Sequence, residues 1–158
     1  MTSPKSDAHI LVVDDEPDLR TLYELTLLRE GYQVATAGDL QQARLLLAEH
    51  GFDVVITDMR LPDGVGLSLI TELKADQRSE RCVVITAYGS AENAVEALKG
   101  GAFDYLTKPV DLKQFRHVIA SAVTTPVTPV LAMQTALSIR QAGAGALGQR
   151  ALDRLVGK

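Results

Sequence analysis

Phe52-Asp53-Val54-Val55-Ile56-Thr57-Asp58 reads as a short apolar strand that ends on a carboxylate. The residues after it, Met59-Arg60-Leu61-Pro62-Asp63-Gly64, have the composition of a turn shaped by Asp63 and Gly64. A continuous apolar run suits a strand covered on both faces, as in a parallel sheet flanked by helices. An ionised aspartate at the margin of such a core is costly to bury, so its presence points to a task.

The same grammar repeats on either side. Ile10 to Val13 is an apolar run stopped by Asp14-Asp15, and Cys82 to Thr86 is another. Tyr32 to Thr36 and Phe103 to Leu106 alternate polar with apolar residues, the pattern of edge strands. Helical patterns separate them. One starts at Pro17 and stops at Gly31, and one runs from Asp39 to His50. Others carry Leu69, Ile70 and Leu73, or run from a Ser90 cap to Lys99 before Gly100-Gly101. The last is capped by Asp111 and carries Leu112, Phe115, Ile119 and Ala122. This alternation predicts an α/β fold: a flavodoxin-like five-stranded parallel sheet in the order 2-1-3-4-5, with helices on both faces.

The chain of 158 residues fits one such domain, residues 8–123, plus a linker or C-terminal extension, 124–158, where Pro126, Pro129 and a Gly/Ala stretch oppose regular structure. A net charge of −4 without a Lys/Arg run argues against a nucleic-acid surface. The one cysteine, Cys82, excludes an internal disulfide framework. The N-terminal residues lack a leader pattern and no segment is long enough to span a bilayer, so a cytoplasmic location is expected.

In open α/β sheets ligands bind outside the carboxyl ends of the strands. Asp14 and Asp15, Asp58, Thr86 and Lys108 all follow or close strands at that edge. Three carboxylates gathered there repel one another unless a cation intervenes. Mg²⁺, a hard ion that takes oxygen ligands, is the expected cofactor. With it present, Asp58 can act as a nucleophile toward phosphorus, while the Thr86 hydroxyl and the Lys108 ammonium stabilise the phosphoryl oxygens. Each motif alone has a plainer reading: a helix cap for Asp14-Asp15, a β-branched strand residue for Thr86, a turn for Lys108-Pro109. Arg60 and Tyr88 flank the expected phosphate. His9, His50 and His117 are scattered and read as surface residues.

The segments Leu-Val-Val-Asp-Asp-Glu-Pro-Asp, Val-Ile-Thr-Asp-Met-Arg-Leu-Pro-Asp-Gly, Val-Ile-Thr-Ala-Tyr-Gly-Ser and Phe-Asp-Tyr-Leu-Thr-Lys-Pro-Val-Asp resemble the receiver domain of two-component response regulators. The resemblance implies Asp58 as phosphoacceptor and Asp14 and Asp15 as the acidic metal pair, Asp15 binding more directly. It adds the Met59 backbone carbonyl as a further metal ligand, Thr86 and Lys108 as switch hydroxyl and lysine, Tyr105 as switch aromatic, and a cis Lys108-Pro109 bond. It implies a sensor histidine kinase as partner, a homodimer through helix 4, strand 5 and helix 5, and a signalling domain with no enzymatic turnover of its own. The stretch from Thr86 to Tyr105 is similar to receivers of sigma-54-dependent activators, especially those regulating pilus genes. The close of the sequence looks like the start of an ATPase domain, but no phosphate-binding loop occurs, so ATP hydrolysis and DNA binding are not expected of this chain.

Two enzyme classes fit the residues after the first strand less well. An aspartate-nucleophile phosphatase would want Asp-x-Asp after the first strand, and a flavin protein would want a phosphate-binding loop there. Asp14-Asp15-Glu16 supplies neither. A degenerate receiver acting only as a dimerisation module is the alternative within the family.

Overall fold

β1 (His9–Val13), α1 (Pro17–Arg29), β2 (Gln33–Ala37), α2 (Leu40–Glu49) and β3 (Val54–Asp58) open the domain. A small hairpin of β4 (Arg60–Leu61) and β5 (Gly64–Val65) follows, then α3 (Gly66–Ala75), β6 (Arg81–Thr86), α4 (Ala91–Lys99), β7 (Asp104–Thr107) and α5 (Leu112–Thr124). The computed structural model describes residues 8–87 and 91–124. The expected Ser90 cap, Tyr88 and the extension from residue 125 onward lie outside the described residues.

The main sheet is parallel throughout, in the order β2-β1-β3-β6-β7. Leaving the hairpin aside, this is the predicted 2-1-3-4-5 order. Burial follows from it. Every residue of β3 is buried, and β1 and β6 are buried apart from His9 and Arg81, whereas β2 and β7 are largely half-buried. Successive strand residues feed opposite cores, as the two-residue period requires. Leu11, Val13, Val55 and Val84 pack with Leu40 and Leu47 of α2, Leu69, Ile70 and Leu73 of α3, and Ala97 of α4. Ile10, Val12, Val54, Ile56, Val83 and Ile85 pack with Tyr23 and Leu27 of α1 and Phe115, Ile119 and Ala122 of α5. Helices therefore cover both faces. Among the described residues, no helix is long and apolar enough to cross a membrane.

Two strands, β2 and β7, sit one residue later than the pattern predicts, and β3 begins two residues later, at Val54. Tyr32 belongs to the close of α1: its N–H donates to the Leu27 carbonyl, and the Gly31 N–H donates to Leu28. These two bonds, with Gly31 at φ +95°, form the left-handed helix stop expected of a glycine there.

The turn after β3 is more than a turn. Asp63 accepts the N–H groups of Leu40 (2.9 Å) and Gln41 (3.0 Å), while Asp39 accepts that of Gln42 (2.8 Å). Three otherwise unpaired donors at the start of α2 are thus satisfied by two carboxylates, one of them delivered from across the fold. The hydrogen bond from Leu40 is the main reason that the Asp63 carboxyl is held below its ordinary pKa.

Gly66 fixes how closely α3 approaches β3. Its N–H donates to the Met59 carbonyl at 2.7 Å. A Cβ at this position would overlap the Asp58 carbonyl oxygen and crowd Thr57 Oγ1. Gly66→Ala is therefore expected to push α3 away from the end of β3 and to cost about 1–3 kcal/mol. Urea denaturation of the variant checks this, and an unchanged midpoint would contradict the packing argument.

Candidate functional site

The parallel sheet gathers its strand ends at one edge. Asp14 follows β1, with its N–H on the Ala37 carbonyl (3.0 Å). Asp58 closes β3 opposite Ile85, and Thr86 closes β6 opposite Thr107. The Lys108 N–H donates to the Thr86 carbonyl (2.9 Å), and the peptide bond to Pro109 is cis, as the resemblance implied.

Lys108 brings these elements together. Its ammonium lies 2.8 Å from Asp58 Oδ2 and 3.4 Å from Glu16 Oε1. Burial by itself would lower the lysine's pKa, but the hydrogen bond and charge of Asp58, with further help from Asp14 and Glu16, outweigh it and hold the ammonium charged.

Asp14, Glu16 and Asp58 each place one carboxylate oxygen so that all three lie within 4.8 Å of one another. Asp14 is the most buried, at 1% exposure. One of its oxygens accepts the Glu16 N–H at 2.8 Å, and the other, Oδ2, is buried without a hydrogen-bond partner. Burial is the chief reason that its pKa is pushed up to about 6, with the charge of Asp58 adding to it and the Glu16 N–H and Lys108 opposing. A buried, unpartnered carboxylate oxygen beside two more carboxylates fits a hard divalent cation. Asp14, Glu16 and Asp58 are the residues placed to hold one.

Asp15 is exposed and is not one of the trio, whereas its neighbour Glu16 is. Glu16 completes the acidic triplet after β1, and nothing in the local pattern sets it apart from Asp15. The Met59 carbonyl already accepts the Gly66 N–H, so it would have to share its oxygen to serve a cation. The Thr86 side chain is fully buried, and its hydroxyl faces the Leu106 carbonyl at 3.5 Å, the outer limit of a hydrogen bond. Tyr105 is half-buried and pairs in register with Val84, two residues before Thr86, so both side chains belong to the same face of the sheet.

Arg20 also supports the site. From α1 its Nη1 donates to the Asp14 carbonyl at 2.7 Å, and a Cβ on Gly38 would stand 3.2 Å from the same nitrogen. The guanidinium thus props the acidic β1–α1 turn against the β2–α2 turn. No local pattern distinguishes such an arginine from a solvated one.

The raised Asp14 pKa carries a sign. The folded state holds this proton more tightly than the unfolded chain, so stability from this group is greatest below pH 4 and falls as pH rises toward 6. Above that the ionised Asp14 is a standing cost. Asp14→Asn should therefore stabilise the metal-free protein at pH 8 by about 1–3 kcal/mol and have little effect at pH 4. Paired denaturation curves at the two pH values check this; equal gains at both would contradict it.

Comparison with known proteins agrees with this fold. The family described as response regulator receiver domain matches residues 10–120. The response regulator protein PilR of Pseudomonas aeruginosa is 50% identical over 113 residues, covering 72% of this chain and 25% of the relative. The DNA-binding transcriptional regulator NtrC of Azospirillum brasilense is 37% identical over 124 residues, covering 78% of this chain and 26% of the relative. The chain thus spans about a quarter of the length of these curated relatives. Among solved structures, the beryllofluoride-activated NtrC4 receiver domain dimer is similar with a TM-score of 0.69 and 36% identity, covering 73% of this chain and 95% of that one. The match in sequence over most of the domain and the match in fold lead to one conclusion: the chain belongs to the response regulator receiver domain family.

Proposed function

We propose that this chain receives a phosphoryl group on Asp58 from the phosphohistidine of a sensor histidine kinase, with Mg²⁺ as cofactor, and thereby switches contacts on one face of the domain. The observation that carries this reading is the meeting of Lys108 with Asp58 at 2.8 Å beside the carboxylate trio, at the sheet edge where ligands bind. The bound ion would neutralise charge on the carboxylates and on the transferred phosphoryl oxygens. A carboxylate oxygen of Asp58 attacks phosphorus as the bond to the donor imidazole nitrogen breaks, and the electron pair leaves with that nitrogen. Lys108, displaced from Asp58, carries a phosphoryl oxygen. Thr86 gives up its long contact to Leu106 and turns its hydroxyl to another.

Asp14 and Glu16 join Asp58 in the proposed metal set. Asp15 and the Met59 carbonyl, the ligands implied by family resemblance, remain candidates that would have to turn or share a partner. Tyr105 is the proposed second switch residue, since it shares its sheet face with Thr86 and α4 packs on its strand. The proposed output surface is formed by α4, β7 and α5. Val95 and Leu98 are exposed on α4, at 49% and 43%, which suits a homodimer contact there. The solved NtrC4 receiver is described as a dimer, which supports the same reading.

Residues 8–123 form the receiver on this view, and 124–158 lead toward an output domain of the sigma-54 activator type that controls transcription from the cytoplasm. The domain itself would have no turnover beyond taking and losing its own phosphate. The intact set of carboxylates, hydroxyl and ammonium favours this over a module used only for dimerisation.

Incubating the protein with Mg²⁺ and a small acyl phosphate such as acetyl phosphate should add the mass of one phosphoryl group at Asp58. Asp58→Asn should abolish the gain, and Lys108→Ala should slow it by about 100-fold. Thr86→Ala should still take the phosphate but fail to change its oligomeric state in light scattering. Full phosphorylation of Asp58→Asn would refute the site. Arg60, exposed on β4 two residues beyond Asp58, is expected to govern water access, so Arg60→Ala should alter the rate of phosphate loss.

A further inference from the structure

We propose that Glu16 sets the site's response to a divalent cation: it supplies the third carboxylate that draws the ion, and before the ion arrives it shares Lys108 with Asp58. The proposal rests on the phosphoacceptor reading above and goes beyond it in giving this residue a gating role.

Glu16 stands at the N-cap of α1, where a short polar side chain ordinarily accepts a helix N–H, yet its side chain makes no capping hydrogen bond. It reaches instead to Lys108, 92 positions away in sequence, with Oε1 3.4 Å from Nζ. That nitrogen is the one 2.8 Å from Asp58 Oδ2. An exposed lysine–glutamate pair would ordinarily be of little consequence. This one differs because it adjoins a built site: Asp14 Oδ2 is buried and unpartnered, and one oxygen from each of Asp14, Glu16 and Asp58 lies within 4.8 Å of the others.

Counting charges gives the consequence. Three carboxylates and one ammonium leave two negative charges in excess, which a divalent cation cancels. A phosphate-bearing donor that arrives before the ion meets that excess, and meets a lysine already engaged by two carboxylates. With the ion present, Glu16 would have a stronger partner than Lys108, which would leave the ammonium with Asp58 alone and one contact fewer for an incoming phosphoryl oxygen to displace. Glu16 thus makes acceptance of phosphate conditional on the ion. Removing its charge weakens the attraction for the cation and leaves the lysine with Asp58 alone from the start.

Mn²⁺ titration of the full chain, followed by the electron paramagnetic resonance of free ion, tests the first half. Glu16→Gln should weaken Mn²⁺ binding by about 3- to 10-fold, while Glu16→Asp, which keeps the charge but shortens the reach, should retain most of the affinity. The side-chain ε-methylene NMR signal of Lys108 tests the second half. Without metal, it should already lie near its metal-loaded wild-type position in both Glu16 variants. Equal Mn²⁺ affinity in wild type and Glu16→Gln, or a Lys108 signal indifferent to both substitutions, would overturn the role of Glu16 alone. A wild-type chain that binds no Mn²⁺ would remove the phosphoacceptor reading and this proposal together.

Discussion

Excess negative charge at one edge of an apolar sheet is the constraint around which this domain is organised. Asp14, Glu16 and Asp58 crowd together there with Lys108 as the ammonium that contacts two of them. An arrangement of this kind works against stability, since burial and neighbouring charge both disfavour ionised Asp14. Around it the fold is tightly specified. β1, β3 and β6 are packed on both faces, Gly66 lets α3 press against the end of β3, and Arg20 props the acidic turn from α1. Rigid surroundings of this sort hold repelling groups in place until something of opposite charge relieves them.

The other end of the sheet has the contrary character. Arg78 makes two hydrogen bonds to Glu80 (3.0 and 2.6 Å) and also donates to the carbonyls of Leu47 and His50 at the close of α2. Glu80, buried, accepts the Phe52 N–H. Here a buried carboxylate has a bidentate partner and a backbone donor, so its cost is offset and the strand entrances are locked. The two sheet ends thus differ: polar groups are satisfied at the strand entrances and left wanting at the carboxylate edge.

Much of this could be read from the residues in order. The apolar runs ending in Asp14, Asp58 and Thr86 gave the parallel sheet, because only strands covered on both faces tolerate Val-Val-Ile without alternation, and the weaker patterns of β2 and β7 put them at the edges. Once the strand order is known, the meeting of Asp58 with Lys108 follows from topology. What escaped were contacts decided by side-chain direction or by elements far apart in sequence. Asp15 and Glu16 have the same charge, and only the path of the β1–α1 turn decides which one reaches Lys108. Asp63 looks like any turn aspartate until α2 is seen to begin above it. Gly66 carries no local signal, since its need arises from the closeness of another backbone. These are tertiary facts that local periodicity does not encode.

The last turn of α5 is tied to the entrance of β6. Arg81, at the start of β6, donates to the Ala122 carbonyl in the last turn of α5 at 3.1 Å and stands over the Phe103 ring, 5.9 Å from its centre. The close of α5 therefore sits at the strand entrances beside Arg81, which is roughly 17 Å along β6 from Thr86 at its far end. One strand's length thus separates the close of the last helix from the carboxylate edge, so any influence between them has to pass through the packed body of the domain.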